Sequence, residues 1–150
     1  LLDIHDFNVF ATQFTDTSKS VNEIAEDIER KKTTVQRTER PGQRKFRKTI
    51  LKNFNFTCVV TGVQLPEVLE AAHIKPVEYK GNDSTGNGLC LRLDIHRLFD
   101  TSNLIIMPNG DIQLTRKAQD AYGTIIPPHI ILPDCVNRDY LKWRLNYDGV

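Results

Sequence analysis

Two histidines and one asparagine have residue types and a spacing that allow general-base or metal-ligand chemistry. His73 closes a short apolar run, Asn87 lies between glycines, and His96 follows nine residues later. An unperturbed imidazole titrates near neutral pH, so a histidine can act as a general base or, when neutral, as a metal ligand. Asparagine can hydrogen-bond backbone groups and hold a loop in one conformation. If the fold brings them together, these side chains supply a base, its support and a ligand.

A carboxylate accompanies the second histidine. Asp100 stands four residues after His96, so on a helix the two side chains share one face. Mixed imidazole and carboxylate ligation suits Mg²⁺, Mn²⁺ or a related divalent ion. These residues also have ordinary explanations, because a single histidine is often structural and an asparagine between glycines is often a turn former. Spacing alone leaves both interpretations open.

Three different elements are predicted to position these side chains. The apolar run 68–74 is extended, the stretch 80–88 is a polar loop, and 93–100 is a helix with Asp94 as its N-cap. Asn109-Gly110 is typical of a hairpin turn between two strands within 104–114. A strand, a loop and a helix can direct their side chains to one point.

The other predicted elements follow from hydrophobic periodicity and from turn signals. They are a helix from Ser20 to about Lys32, an amphipathic helix from Gln43 to about Phe54, a strand over 56–62, and helices near 115–121 and 137–146.

Positive charge is concentrated in one part of the chain. Between Arg30 and Lys52 there are ten Lys or Arg and one acid, a local net charge of +9, whereas the remainder carries −8. Such a segment is typical of proteins that bind nucleic acid, although a solvated helix face has the same composition. The candidate phosphate contacts are Arg44, Lys45, Arg47 and Lys48 on the basic helix and Arg92 and Arg97 near the second histidine.

Length and composition indicate one globular domain. The chain has 150 residues, of which 39% are hydrophobic and 26% charged, and no apolar run approaches the roughly 20 residues of a membrane span. Its first residue is Leu and its one Met is Met107, so we expect it to belong to a longer protein. Three scattered cysteines favour buried thiols in a reducing compartment, such as a bacterial cytoplasm.

The order of motifs from Arg40 to about Gly110 resembles the HNH endonucleases of restriction enzymes. The matching segments are RPGQRKFRKTIL, CVVTG, LEAAHIKP, NGLCLRLDIHRLFD and the hairpin around Asn109-Gly110. The resemblance implies an α+β fold with a ββα-metal core in a domain over 36–150, preceded by a helical segment or linker over 1–35. It also implies a nuclease for double-stranded DNA that leaves a 5′-phosphate. His73 would be the general base, Asn87 would orient it, and His96 would bind the metal.

One departure from the family leaves the second metal ligand open. Many of these nucleases carry a ligand directly before the base, where this sequence has Ala72. The remaining candidates are Asp100 by helix geometry, then Asp94, and last Glu70, because residues three apart on a strand face opposite sides. The expected ion is Mg²⁺, with Mn²⁺, Ni²⁺ and Zn²⁺ as alternatives.

Other functions share these residues. A catalytically inactive nucleic-acid-binding module of the same fold would explain Ala72, and a toxin-type nuclease would share the chemistry but lack sequence preference. One such site cuts one strand, so double-strand cleavage needs a homodimer or two successive nicks. We expect specificity to reside in a domain N-terminal to Leu1.

Overall fold

The computed structural model describes residues 22, 23, 26 and 40–150. The contacts within the chain divide it into two units, Leu1–Arg40 and Pro41–Val150. Of the four described positions of the first unit, residues 22, 23 and 26 are helical and fall within the helix predicted from Ser20, whose other residues lie outside the described part. The boundary predicted between 35 and 36 stays a prediction. The second unit carries all the candidate site residues.

The second unit mixes helices with two small antiparallel sheets, which confirms the predicted α+β class. Its elements are α1 (Gln43–Asn53), β1 (Leu69–His73), β2 (Gly88–Arg92), α2 (Leu93–Asp100), β3 (Leu104–Ile106), β4 (Ile112–Leu114), α3 (Arg116–Tyr122) and α4 (Arg138–Asp148). β1 pairs with β2, and β3 with β4. No helix among the described residues is long and apolar enough to cross a bilayer.

The amphipathic character of α1 decides how it packs. Phe46, Ile50 and Leu51 are buried, while the basic side chains between them remain at the surface. The helix packs on β1 and β2, as the periodicity predicts for an apolar stripe. The approach is close at Gly88, where a Cβ atom would lie 2.3 Å from Ile50 Cδ1. α1 therefore lies directly against the sheet at the end where His73 pairs with Gly88.

The strand predicted over 56–62 is wrong, because this segment is a series of turns. The Cys58 amide donates to the Val63 carbonyl, and the Gly62 amide donates to Cys58, so the segment folds back on itself. The Cys58 thiol also accepts from the amides of Thr61 and Arg92. Turn partners within the segment and the distant Cys90 carbonyl, which accepts from the Val59 amide, satisfy the backbone, and β-branched composition alone could not reveal them.

The partner of β1 is the strand β2, which the hydrophobic pattern did not predict. Its residues Leu89, Cys90 and Leu91 are all fully buried, so it lacks the alternation of a half-buried strand. Burial raises the pKa of the Cys90 thiol to about 11, as expected for an inert core residue. All three cysteines of the chain are free thiols.

The helix α2 begins one residue earlier than its predicted cap. Arg92 occupies the N-cap position without a side-chain cap, and the Asp94 side chain accepts from the Ile95 amide inside the helix. The Asn109-Gly110 hairpin is confirmed, with Gly110 at a φ of 96°. The helices predicted near 115–121 and 137–146 are confirmed as α3 and α4.

Candidate active site

His73 is held at the end of β1 by contacts on its face and on its edge. Its ring stacks on Phe46 of α1 with a centroid distance of 4.0 Å and an interplanar angle of 10°. Its Nε2 lies 2.8 Å from Asp83 Oδ1. The side chain keeps 17% of its exposure, so the imidazole is oriented yet reachable from solvent. Such a fixed, accessible imidazole suits a general base.

Asn87 fixes the loop between β1 and β2. It is fully buried, and its Oδ1 accepts from the Lys75 amide at 2.8 Å. Its Nδ2 donates to the carbonyls of Lys75 and Asn82 at 3.0 and 2.8 Å. Asn87 therefore holds the backbone on both sides of the loop that follows His73, and its hydrogen bonds within the described residues go to backbone groups rather than to the His73 ring.

His96 lies on α2 between two carboxylates. Its Nδ1 is 2.5 Å from Glu70 Oε2, and its Nε2 is 3.2 Å from Asp100 Oδ2. The i,i+4 pairing with Asp100 is as predicted, but Glu70, the candidate placed last, makes the shorter contact. The alternation of side chains along a strand shows only that Glu70 faces away from His73. Which carboxylate can share an ion with His96 depends instead on the position of His96 on α2.

Asp94, the other candidate ligand, is engaged elsewhere. Its carboxylate accepts from Arg92 Nε at 2.6 Å and from Arg92 Nη2 at 2.8 Å, and the Tyr122 hydroxyl donates to it at 3.0 Å. The hydrogen bonds from Arg92 hold the pKa of Asp94 below its usual value. The structure thus places Asp94 in a structural network rather than beside His96.

The comparison with known families bears on the segment that contains these residues. Residues 58–107 match the family model described as HNH endonuclease. The segment 58–107 is an HNH endonuclease domain by this match. This family is one of nucleases, and the matched residues include His73, Asn87 and His96.

The HNH domain also has a structural relative. The chain resembles a solved structure described as a modification dependent TagI restriction endonuclease, with a TM-score of 0.54 and 23% sequence identity. The alignment covers 69% of this chain and 37% of that one, so the chain spans little more than a third of that protein. This likeness shows a shared fold. No curated protein matches the sequence.

The donor chemistry of the HNH domain fits a divalent ion, although not with three protein ligands at once. Imidazole with carboxylate is a common set for divalent metals. Among residues 22, 23, 26 and 40–150, no group of three or more His, Cys, Asp or Glu is placed to hold one ion. At His96 this is because Glu70 contacts Nδ1 whereas Asp100 contacts Nε2. An ion bound to either ring nitrogen can therefore be shared with only one of the two carboxylates.

The predicted phosphate contacts fall into two groups. Arg47 donates to the Leu69 carbonyl at 2.9 Å, and Arg92 forms its bidentate pair with Asp94, so both are already engaged within the HNH domain and its flanking helix. The other four predicted contacts lie at the exposed surface of α1 and α2. They are Arg44, Lys45, Lys48 and Arg97.

Sequence reasoning missed two residues that organise the HNH domain. Asp83, which contacts His73, lies in a loop whose composition signals only turns. Arg144 on α4 is 1% exposed and donates to the carbonyls of Ile74 and Phe99, which adjoin His73 and Asp100. No sequence signal could have identified Arg144, because basic residues of surface helices have the same pattern.

Proposed function

We propose that the HNH domain is a metal-dependent endonuclease that hydrolyses phosphodiester bonds of double-stranded DNA, as the cleavage domain of a restriction enzyme. The observation that carries this is the presence, within one HNH domain, of an oriented imidazole at His73 and an imidazole with flanking carboxylates at His96. The structural relative is described as a modification-dependent restriction enzyme, which favours the same role here.

In this mechanism neutral His73 removes a proton from a water molecule as the water oxygen attacks phosphorus. The bond between phosphorus and the 3′ oxygen breaks, the leaving oxygen takes up a proton, and the products carry a 5′-phosphate and a 3′-hydroxyl. His96 with Glu70 or Asp100 would hold the divalent ion, Mg²⁺ in our proposal. The ion supplies Lewis-acid stabilisation of charge on the scissile phosphate.

The direct test is a supercoiled-plasmid assay. Reactions with EDTA, Mg²⁺, Mn²⁺, Ni²⁺ and Zn²⁺ are run in parallel on methylated and unmethylated DNA. We expect metal-dependent nicking or linearisation that EDTA abolishes. Discrete fragments indicate a restriction activity, and a smear indicates a nonspecific nuclease. Binding without cleavage in every metal, on both substrates, would contradict the endonuclease and leave an inactive DNA-binding module.

Metal affinity should distinguish the two carboxylates beside His96. We expect Glu70→Gln to weaken Mn²⁺ binding by about tenfold or more, since its oxygen makes the shorter contact with the ring. Asp100→Asn should change the affinity less than about threefold, because its contact is longer and its side chain is 51% exposed. Isothermal titration of the full chain measures both, with the exposed Asp139→Asn as the matched control.

The reverse order, with Asp100→Asn the weaker binder, would restore Asp100 as the second ligand. If both variants bound Mn²⁺ with the affinity of the parent protein, the result would contradict the proposed metal site at His96.

The exposed lysines of α1 should set the salt dependence of DNA binding. The double variant Lys45→Ala/Lys48→Ala is expected to reduce the slope of log K against log salt concentration by about two, since each lost phosphate contact removes about 0.9. Lys117→Ala, an exposed lysine on α3, is the control and should leave the slope unchanged. An unchanged slope in the double variant would exclude α1 as the DNA-binding surface.

A further inference from the structure

The contact between His73 and Asp83 has a consequence for which nitrogen of His73 reacts. We propose that Asp83 is a positioning residue that fixes the Nε2–H tautomer of His73 and leaves Nδ1 as the atom that takes the proton from water. The part concerning catalysis rests on the proposed function, whereas the tautomer itself does not.

The tautomer follows from the chemistry of the contact. Asp83 Oδ1 lies 2.8 Å from Nε2, which is hydrogen-bond distance. An ionised carboxylate accepts hydrogen bonds and has none to donate. Nε2 must therefore carry the hydrogen, and in the neutral ring the lone pair available for a proton is on Nδ1.

The ring cannot easily turn away from this arrangement. Phe46 covers one face of the imidazole at a centroid distance of 4.0 Å, and Phe46 itself is 4% exposed. Asp83 holds the edge of the ring while Phe46 holds the face. A base whose proton-accepting nitrogen has one fixed direction satisfies the geometric requirement for proton transfer.

Asp83 is in turn held by its neighbours in the loop. Asn87 Nδ2 donates to the carbonyl of Asn82, and the amide of Ser84 donates to Asn82 Oδ1. The amide of Asn87 donates to the Ser84 carbonyl. Residues on both sides of Asp83 are therefore fixed to buried Asn87, and we infer that Asn87 orients His73 by way of Asp83 rather than by direct contact.

The other carboxylate oxygen of Asp83 faces the beginning of α1. A Cβ atom on Gly42, the N-cap residue of that helix, would lie 3.1 Å from Asp83 Oδ2. The positive end of a helix dipole favours a negative charge at this place. The same helix thus supports the charge of Asp83 and, through Phe46, the face of His73.

The first arm of the test reads the tautomer without DNA or metal. Long-range ¹H–¹⁵N spectra of the full chain, labelled at histidine and held at about pH 8, report which ring nitrogen of His73 is protonated. We expect the Nε2–H tautomer in the parent protein and a mixture in Asp83→Ala. Asp111→Ala removes the carboxylate beside His129 and should leave the His73 signals unchanged.

The second arm reads catalysis. We expect Asp83→Ala to lower kcat by about 10- to 100-fold with KM within about twofold, by analogy with the partners that orient a metal-binding histidine through its second nitrogen. Asp83→Asn, which keeps an acceptor but also offers a donor, should fall between the parent and Asp83→Ala. Circular dichroism and thermal unfolding establish whether each variant is folded. If Asp83→Ala is not folded, both arms of the test are carried out with Asp83→Asn.

The two arms separate the possible failures. An Nδ1–H tautomer in the parent, or a tautomer unaffected in folded Asp83→Ala and Asp83→Asn, overturns the role of Asp83. An unchanged kcat in the same variants overturns its part in catalysis. The expected tautomer shift in a protein that cleaves no DNA supports the assignment of Asp83 and contradicts the proposed function instead.

Discussion

Replacement of His73 by alanine is expected to reduce plasmid cleavage by about 10²- to 10⁴-fold, the usual contribution of a general base. The substitution removes an imidazole that is 17% exposed and stacked on Phe46, so its effect on folding should be smaller than its effect on rate. DNA affinity should stay within about threefold, because His73 carries no positive charge when it acts as a base. Initial nicking rates at saturating metal measure the loss.

His129→Ala provides the matched control for this experiment. His129 is 55% exposed and pairs with Asp111 on the surface of the hairpin, so the same substitution there should leave the rate within about twofold. A His73→Ala rate within tenfold of the parent would exclude His73 as the base. A parallel loss in His129→Ala would show that the assay responds to stability rather than to chemistry.

The second large effect is expected on stability, at Arg144. Its guanidinium is buried with Asp148, at 3.1 Å from Nε to Oδ1, and it lies 4.1 Å from the centroid of the Phe99 ring. Arg144→Met leaves the Asp148 carboxylate buried without its cation. Breaking such a pair costs about 3–5 kcal/mol, so the midpoint of urea unfolding should fall sharply.

The pair on the outer face of the same helix is the control. Lys142 and Asp139 are 67% and 79% exposed, and Lys142→Met should cost less than about 1 kcal/mol. The double variant Arg144→Met/Asp148→Leu should recover part of the loss, because it removes both charges. A cost for Arg144→Met no larger than that for Lys142→Met would mean that the buried pair does not support the fold.

The sequence predicts the elements whose evidence is local. The apolar stripe of α1, the periodicity of α2 and the Asn109-Gly110 turn each specify an element within a few residues, and all three are present. The strand pair is different. Leu89, Cys90 and Leu91 of β2 are all buried, so this strand lacks the alternating pattern by which a strand is predicted. The β-branched residues in 56–62 favour a strand, but hydrogen bonds to distant residues determine the structure of that segment.

The same division holds at the site. His73, Asn87 and His96 could be selected from residue type and context. Their partners could not, because Asp83 is ten residues from His73 and Glu70 is 26 from His96, and only the folded chain brings them together. A local rule about strand faces placed Glu70 last among the candidate ligands, and that rule says nothing about which helix lies over the strand.

Arg144 also bears on how much of the chain would have to accompany the HNH domain if it were transplanted in protein engineering. The segment 58–107 has the family signature, yet the carbonyls of Ile74 and Phe99 receive their donors from residue 144. The ring beneath His73 comes from residue 46. A segment that contains only residues 58–107 would therefore lack both the Phe46 ring and the Arg144 guanidinium. The smallest transplantable unit runs from α1 to α4.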